Sequence, residues 1–220
     1  MTTRADAPQA AGRLDLSVYL VTDTELCGAR GVPRTVREAV AGGATVVQVR
    51  DPRATGRQLC ELVTAVRAEL AEFPAVPLLV DDRLDVALAA GADGVHLGQS
   101  DVPPEQARRI APELLIGWSV SDAAELAETA AFPPGTVDYL GIGPVFGTPT
   151  KPEAAPALGV TGLRELTAAT ELPAVAIGGV HADNAAEIAA TGVRGLCVVS
   201  EICAAADPAS AAARLRKVYR

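Results

Sequence analysis

The sequence is poor in aromatic residues. Trp, Tyr and Phe make up 3% of its 220 positions, so its core must come from Ala, Val, Leu and Ile, which suit helices packed on buried parallel strands. Positive charge is also short: 19 Lys and Arg against 27 Asp and Glu leave a net charge of −8. Such a surface repels nucleic acid and anionic lipid over most of its area. A phosphate ligand would then need local cations, backbone N–H groups or a metal. The only two histidines, His96 and His181, are too far apart for a metal motif, and no Ser-His-Asp order marks a hydrolase. Cys27, Cys60, Cys197 and Cys203 form no C-x-x-C pair and lack zinc spacing, so reduced, buried thiols in a cytoplasmic protein are expected. No apolar run reaches the ~20 residues of a membrane helix. Met1 to Leu14 is polar and has no signal-peptide core. Neither a nucleic acid nor a membrane is expected as a partner; the oligomeric state is not fixed, and a homo-oligomer is left open.

Apolar residues are 49% of the chain, enough for one sizeable core. Short apolar runs bounded by turn residues predict eight strands: Ser17 to Asp23, Val46 to Asp51, Pro77 to Asp82, Gly94 to Gly98, Leu115 to Val120, Tyr139 to Pro144, Ala174 to Val180 and Gly195 to Ser200. Helical periodicity fills the gaps, as in RQLCELVTAVRAELAEF, RLDVALAA and ADNAAEIAA. AVAGGATVVQVR, ALAAGADGVHLG and IAATGVRGLCVV repeat one grammar of helix end, Gly, link and strand, which places Gly42, Gly91 and Gly192 where a helix C-cap takes a left-handed backbone. Eight strands alternating with helices predict an α/β fold, a (β/α)8 TIM barrel in one domain over 15–220 after a polar tail over 1–14. An open doubly wound sheet is the structural rival.

In such a barrel, chemistry collects at the carboxyl ends of the strands. Asp82 and Asp101 follow strands 3 and 4, close enough to share a hard cation such as Mg²⁺. On position alone, each reads first as a helix N-cap. Gly178-Gly179 and Val199-Ser200, after strands 7 and 8, suit a phosphate held by backbone N–H groups, or a plain tight turn. The loop GPVFGTPTKPEAAPALG carries Thr148, Thr150 and Lys151, which can reach phosphate oxygens, and here the functional reading is preferred. Arg50 points toward the barrel mouth, where it would meet a carboxylate or a phosphate. Gln48 could bond a heterocycle edge or satisfy the backbone. His96 reads as a satisfied core histidine and His181 as a surface residue. Trp118 and Phe146 fit an aromatic cover or the core equally.

Together these segments resemble the thiamine phosphate synthase family. The matching strings are YLVTD, QVRD, DDRLDVALAAGADGVHLGQSDVP, IGWSVS, DYLGIGPVFGTPTK with ALG, AIGGV and VVS, in the family's order from about Ser17 to Pro208. The resemblance implies a transferase that joins a pyrimidine diphosphate to a thiazole phosphate with release of pyrophosphate, and Mg²⁺ as its cofactor. Its demand is stabilisation of a leaving pyrophosphate rather than a base or nucleophile. By motif, Asp82 and Asp101 resemble the Mg²⁺ ligands. Gln48, Arg50, Ser119 and Lys151 resemble the pyrimidine diphosphate contacts, with Arg50, Lys151 and Ser119 the catalytic set. Thr148, Thr150, Gly179, Val199 and Ser200 resemble the thiazole phosphate contacts. Two positions depart from the pattern: Pro52 stands where the family usually has a lysine, and Asp81, placed in the substrate site, where it usually has asparagine. Both make the diphosphate site more negative, and Arg53 and Arg57 just downstream are candidates to compensate. Two alternatives share the barrel: a thiazole tautomerase, which needs no metal or diphosphate site, and a non-catalytic barrel that binds thiazole or thiamine phosphate.

Overall fold

The computed structural model describes residues 14–147 and 155–219. The polar tail expected over 1–14 lies, but for Leu14, outside the described residues. The eight strands are β1 (Val18–Val21), β2 (Val46–Val49), β3 (Leu78–Asp81), β4 (Gly94–Leu97), β5 (Leu115–Val120), β6 (Tyr139–Ile142), β7 (Ala174–Ile177) and β8 (Gly195–Val198). Each pairs in parallel with its neighbour in chain order, and β8 pairs with β1 to close the barrel. The open doubly wound rival is thereby excluded. The helices are α1 (Thr24–Cys27), α2 (Val32–Ala41), α3 (Gly56–Glu69), α4 (Leu84–Ala90), α5 (Pro104–Ile110), α6 (Ala123–Thr129), α7 (Gly159–Ala168), α8 (Ala185–Ala189), α9 (Ser200–Cys203) and α10 (Pro208–Arg216).

The alternation of each strand sorts its residues between two cores. Outward residues such as Val18, Leu20, Val47, Val80, Val95, Ile116, Leu140 and Leu196 meet the helices in the larger core. Inward residues Tyr19, Val21, Val46, Leu79, Tyr139, Val175 and Cys197 fill the barrel. Burying each large aliphatic stabilises the fold by about 1.5–3 kcal/mol before conformational entropy is counted. Helix starts are set locally: Thr55 and Gln58 form a capping box on α3, Asp122 caps α6, and Asp207 caps α10 ahead of Pro208.

Gly91 is left-handed (φ 67°) and Gly192 has φ 98°, as the repeat predicts. Gly42 does not: its φ is −80°, and the positive φ falls on Gly43 (112°). Gly42 is instead required by contact, because a Cβ there would lie 2.1 Å from the Ala209 carbonyl oxygen in α10.

Candidate active site

The carboxyl ends of the strands surround a cavity of about 530 Å³, lined by Gln48, Arg50, Asp81, Asp82, Asp101, Ser119, Gly179, Val199 and Ser200 among others. These are the expected site residues, drawn from β2, β3, β4, β5, β7 and β8 or the loops after them. Thr148, Thr150 and Lys151 lie outside the described residues. The stems of their loop are anchored: Val145 N–H donates to the Ile177 carbonyl at 2.9 Å, Phe146 N–H to Gly178 at 3.0 Å, and Leu158 N–H to Pro144 at 2.9 Å. The first stem is therefore fixed to the end of β7 and the second to the first.

Neither Asp82 nor Asp101 caps a helix. The cap positions of α4 and α5 are Arg83 and Pro103, and neither makes a side-chain cap bond. Asp82 has φ 59°, the one positive value for a non-glycine residue among the described residues. That conformation is disfavoured for a residue with a Cβ, and such outliers concentrate at functional sites. Its N–H is fixed on β4 by a 2.8 Å bond to the His96 carbonyl. Asp101 takes the Gly98 N–H on Oδ2 at 2.7 Å, so its carboxylate folds back over the end of β4. Two carboxylates thus end adjacent strands at one mouth. Among the described residues no group of three or more His, Cys, Asp or Glu side chains could hold a metal. A cation here would draw its remaining ligands from water and substrate, as Mg²⁺ commonly does.

Arg50 is the one arginine or lysine among the described residues that lines the cavity. Its Nε lies 3.2 Å from Asp81 Oδ2. Arg53, a candidate to compensate for the lysine absent at position 52, has a side chain that is 67% exposed and is paired with Glu25. Neither Arg53 nor Arg57 lines the cavity.

Opposite the aspartates, Gly178 (φ 94°) and Gly179 (φ 63°) turn the chain after β7 beside Ser200, the first residue of α9. Both also pack tightly, since a Cβ on Gly178 would lie 2.6 Å from Pro144 Cβ, and one on Gly179 2.7 Å from Phe146 Cβ. Asn184 clamps this turn, donating from Nδ2 to the Gly179 carbonyl and accepting the His181 N–H on Oδ1, each at 2.8 Å.

The floor of the cavity holds groups that sequence reading missed or assigned to the core. Tyr19 and Tyr139 point inward from β1 and β6, their hydroxyls 2.7 Å apart. Both are fully buried, and burial pushes both phenols well above the usual range, so they are neutral. His96 is a satisfied interior histidine, as expected, yet it also lines the mouth. The available signal was an inward-phase Tyr139 that pairs with Gly117 on the neighbouring strand. Trp118 is not an aromatic cover: it faces the helices and meets Phe132 edge-on at 5.9 Å. Phe146 packs on the outer core and does not line the cavity. His181 is 45% exposed as a side chain, but it lines the cavity and bonds Glu201 at 3.1 Å.

A family model described as thiamine monophosphate synthase matches residues 18–202. A thiamine-phosphate synthase from Albidiferax ferrireducens is 48% identical over 204 residues, 92% of this chain and 91% of that protein. One from Laribacter hongkongensis is 50% identical over 199 residues, 90% and 92% of the two chains. Among solved structures, a thiamine phosphate pyrophosphorylase from Pyrococcus furiosus superposes with a TM-score of 0.83 at 42% identity, covering 94% of this chain and 96% of that one. A 3-hexulose-6-phosphate synthase at 17% identity and TM-score 0.66 shares the fold.

Proposed function

The chain belongs to the thiamine monophosphate synthase family, and from that premise we propose how it works as a transferase. It condenses 4-amino-2-methyl-5-pyrimidinylmethyl diphosphate with thiazole phosphate to give thiamine phosphate and pyrophosphate. In this reading the methylene–oxygen bond breaks with its electron pair leaving on pyrophosphate. The lone pair of the thiazole ring nitrogen then forms the new carbon–nitrogen bond.

The observation that carries the reading is the division of one mouth into two halves. Asp82, Asp101 and Arg50 stand on one side, and the Gly178-Gly179 turn with Val199 and Ser200 on the other. We assign the first half to the diphosphate and the second to the thiazole phosphate. Asp82 and Asp101 would hold Mg²⁺, whose contribution when bound is to neutralise charge on the departing pyrophosphate. Arg50 adds a fixed cation there, joined by Lys151. Gln48, Asp81 and Ser119 orient the pyrimidine between the halves. Gly179, Val199 and Ser200, with Thr148 and Thr150, take the thiazole phosphate. The gain comes from holding two anions and two reacting atoms in register, which proximity alone makes large. No helix among the described residues is long and apolar enough to cross a membrane, and the four cysteines are free, which fits the cytoplasm.

The test is pyrophosphate release by the purified protein. Release that requires both substrates and Mg²⁺, with one thiamine phosphate formed per pyrophosphate, is the expected result. Isomerisation of a thiazole substrate without pyrophosphate release, or tight binding without turnover, would replace the synthase reading with one of its two alternatives.

A further inference from the structure

His181, two residues past Gly179, is held at both its backbone and its ring. Its N–H donates to Asn184 Oδ1 at 2.8 Å. Its ring Nδ1 lies 3.1 Å from Glu201 Oε2 in α9, and Glu201 Oε1 lies 3.6 Å from Arg214 Nη2 in α10. A second hollow opens beside the mouth, lined by His181, Ser200, Glu201, Ala204, Asp207 and Arg214 among others. Of its lining residues, His181 and Ser200 alone also line the mouth. The imidazole therefore stands in the wall between the two. Its nitrogens lie on nearly opposite sides of the ring, so with Nδ1 turned to Glu201 on the hollow side, Nε2 is turned toward the mouth.

A carboxylate only accepts, so Nδ1 carries the proton of the bond to Glu201. Nε2 makes no hydrogen bond among the described residues and is the nitrogen left for a ligand. The half of the mouth formed by Gly178-Gly179, Val199 and Ser200 holds no Lys or Arg among the described residues. Glu201 adds a negative charge directly after Ser200. An anion in that half is repelled by Glu201 unless a cation stands between them. His181 is the side chain that stands there.

We infer, resting on the function proposed above, that His181 binds the phosphate of thiazole phosphate through Nε2, as an imidazolium bridging that phosphate and Glu201. With an acceptor on each side, both ring nitrogens donate, which is the doubly protonated form. Glu201, which alone would repel the anion, then supports the charge that attracts it. Arg214 faces Glu201 from α10. Asp207, the other carboxylate of the hollow, is taken up by the N–H and hydroxyl of Ser210. Glu201, Arg214 and Asn184 are positioning residues.

The experiment has two arms. In the first, His181→Ala should raise KM for thiazole phosphate by about tenfold, roughly 1.4 kcal/mol. KM for the pyrimidine diphosphate and kcat should stay within about twofold, and inhibition by the unphosphorylated thiazole alcohol should not change. Glu201→Gln should raise KM for thiazole phosphate about threefold in the wild type but lower it in His181→Ala, where only the repulsion remains. An unchanged KM in His181→Ala, an equal weakening of the alcohol, or the same sign for Glu201→Gln in both backgrounds would overturn the inference. The second arm is nitrogen-15 NMR of histidine-labelled protein saturated with thiazole phosphate at neutral pH, with His181 assigned by the His181→Gln difference. Both ring nitrogens of His181 should be protonated, and a bare Nε2 would overturn the inference. Two protons on the ring without pyrophosphate release would remove the proposed synthase and uphold the phosphate contact. Turnover with a bare Nε2 would do the reverse, and failure of thiazole phosphate to bind would overturn both.

Discussion

Asp101 serves its own loop with one carboxylate oxygen, which takes the Gly98 N–H at 2.7 Å, and faces the mouth beside Asp82. Removing that carboxylate should cost about 1 kcal/mol of stability, the net worth of one hydrogen bond. If it also holds the cation that neutralises pyrophosphate, Asp101→Ala should lower kcat by about 10²–10³-fold, the scale seen when a preorganised electrostatic group is lost. Thermal melting and steady-state turnover on the same preparation separate the two effects; full activity in the folded variant would remove Asp101 from the metal site. Position in the sequence suggested a helix cap for both aspartates. What separates Asp82 from a cap is its left-handed φ with its N–H on the His96 carbonyl of β4, which no local pattern encodes, whereas Asp101 is turned back by a local bond to Gly98 three residues earlier. The tyrosine floor was hidden for a related reason, since each Tyr alone reads as an apolar inward residue and its polar role exists only across strands.

The turn proposed to take the thiazole phosphate is clamped by Asn184 at the start of α8. Asn184 makes two 2.8 Å bonds to the backbone of residues 179 and 181, and these fix the turn that lines the mouth with Ser200. Asn184→Ala should raise KM for thiazole phosphate by about tenfold and leave KM for the pyrimidine diphosphate within about twofold, as expected for loss of one to two bonds. An equal rise in both constants would mean that the turn does not belong to the thiazole site. Gly179→Leu is a poorer probe, because the side chain would collide with Phe146 whether or not an anion binds. The strands themselves were readable, since each is a short β-rich run between turn residues. Most ended too late in the sequence reading: Thr22-Asp23, Arg50-Asp51 and Gly143-Pro144 continue beyond the last paired residues. The paired region is short because the chain leaves the ladder to form the mouth.

At the scale of the whole molecule, a chain with net charge −8 must bind two anions. Its long-range field opposes their approach, whereas Arg50, in the role proposed for it, would attract them only at close quarters. Screening lengths fall from ~30 Å at 0.01 M salt to ~8 Å at 0.15 M. Raising salt over that range should therefore leave kcat/KM for the pyrimidine diphosphate level or raise it up to about threefold. A steep fall would mean that a basic surface steers the substrate and that the local-cation account is wrong. Composition carried this tension openly, and the proposed function resolves it with residues from six strand ends that line one cavity.

The central claim is that this one mouth seats both halves of the product, and a crystal structure with thiamine phosphate, pyrophosphate and Mg²⁺ tests it most directly. The account predicts a cation on Asp82 and Asp101 with pyrophosphate between it and Arg50. It places the pyrimidine ring against Gln48 and Ser119 and the thiazole phosphate on the backbone of Gly179 and Ser200. A product bound with its phosphate at the aspartate side, or a cation held away from Asp82 and Asp101, would contradict it.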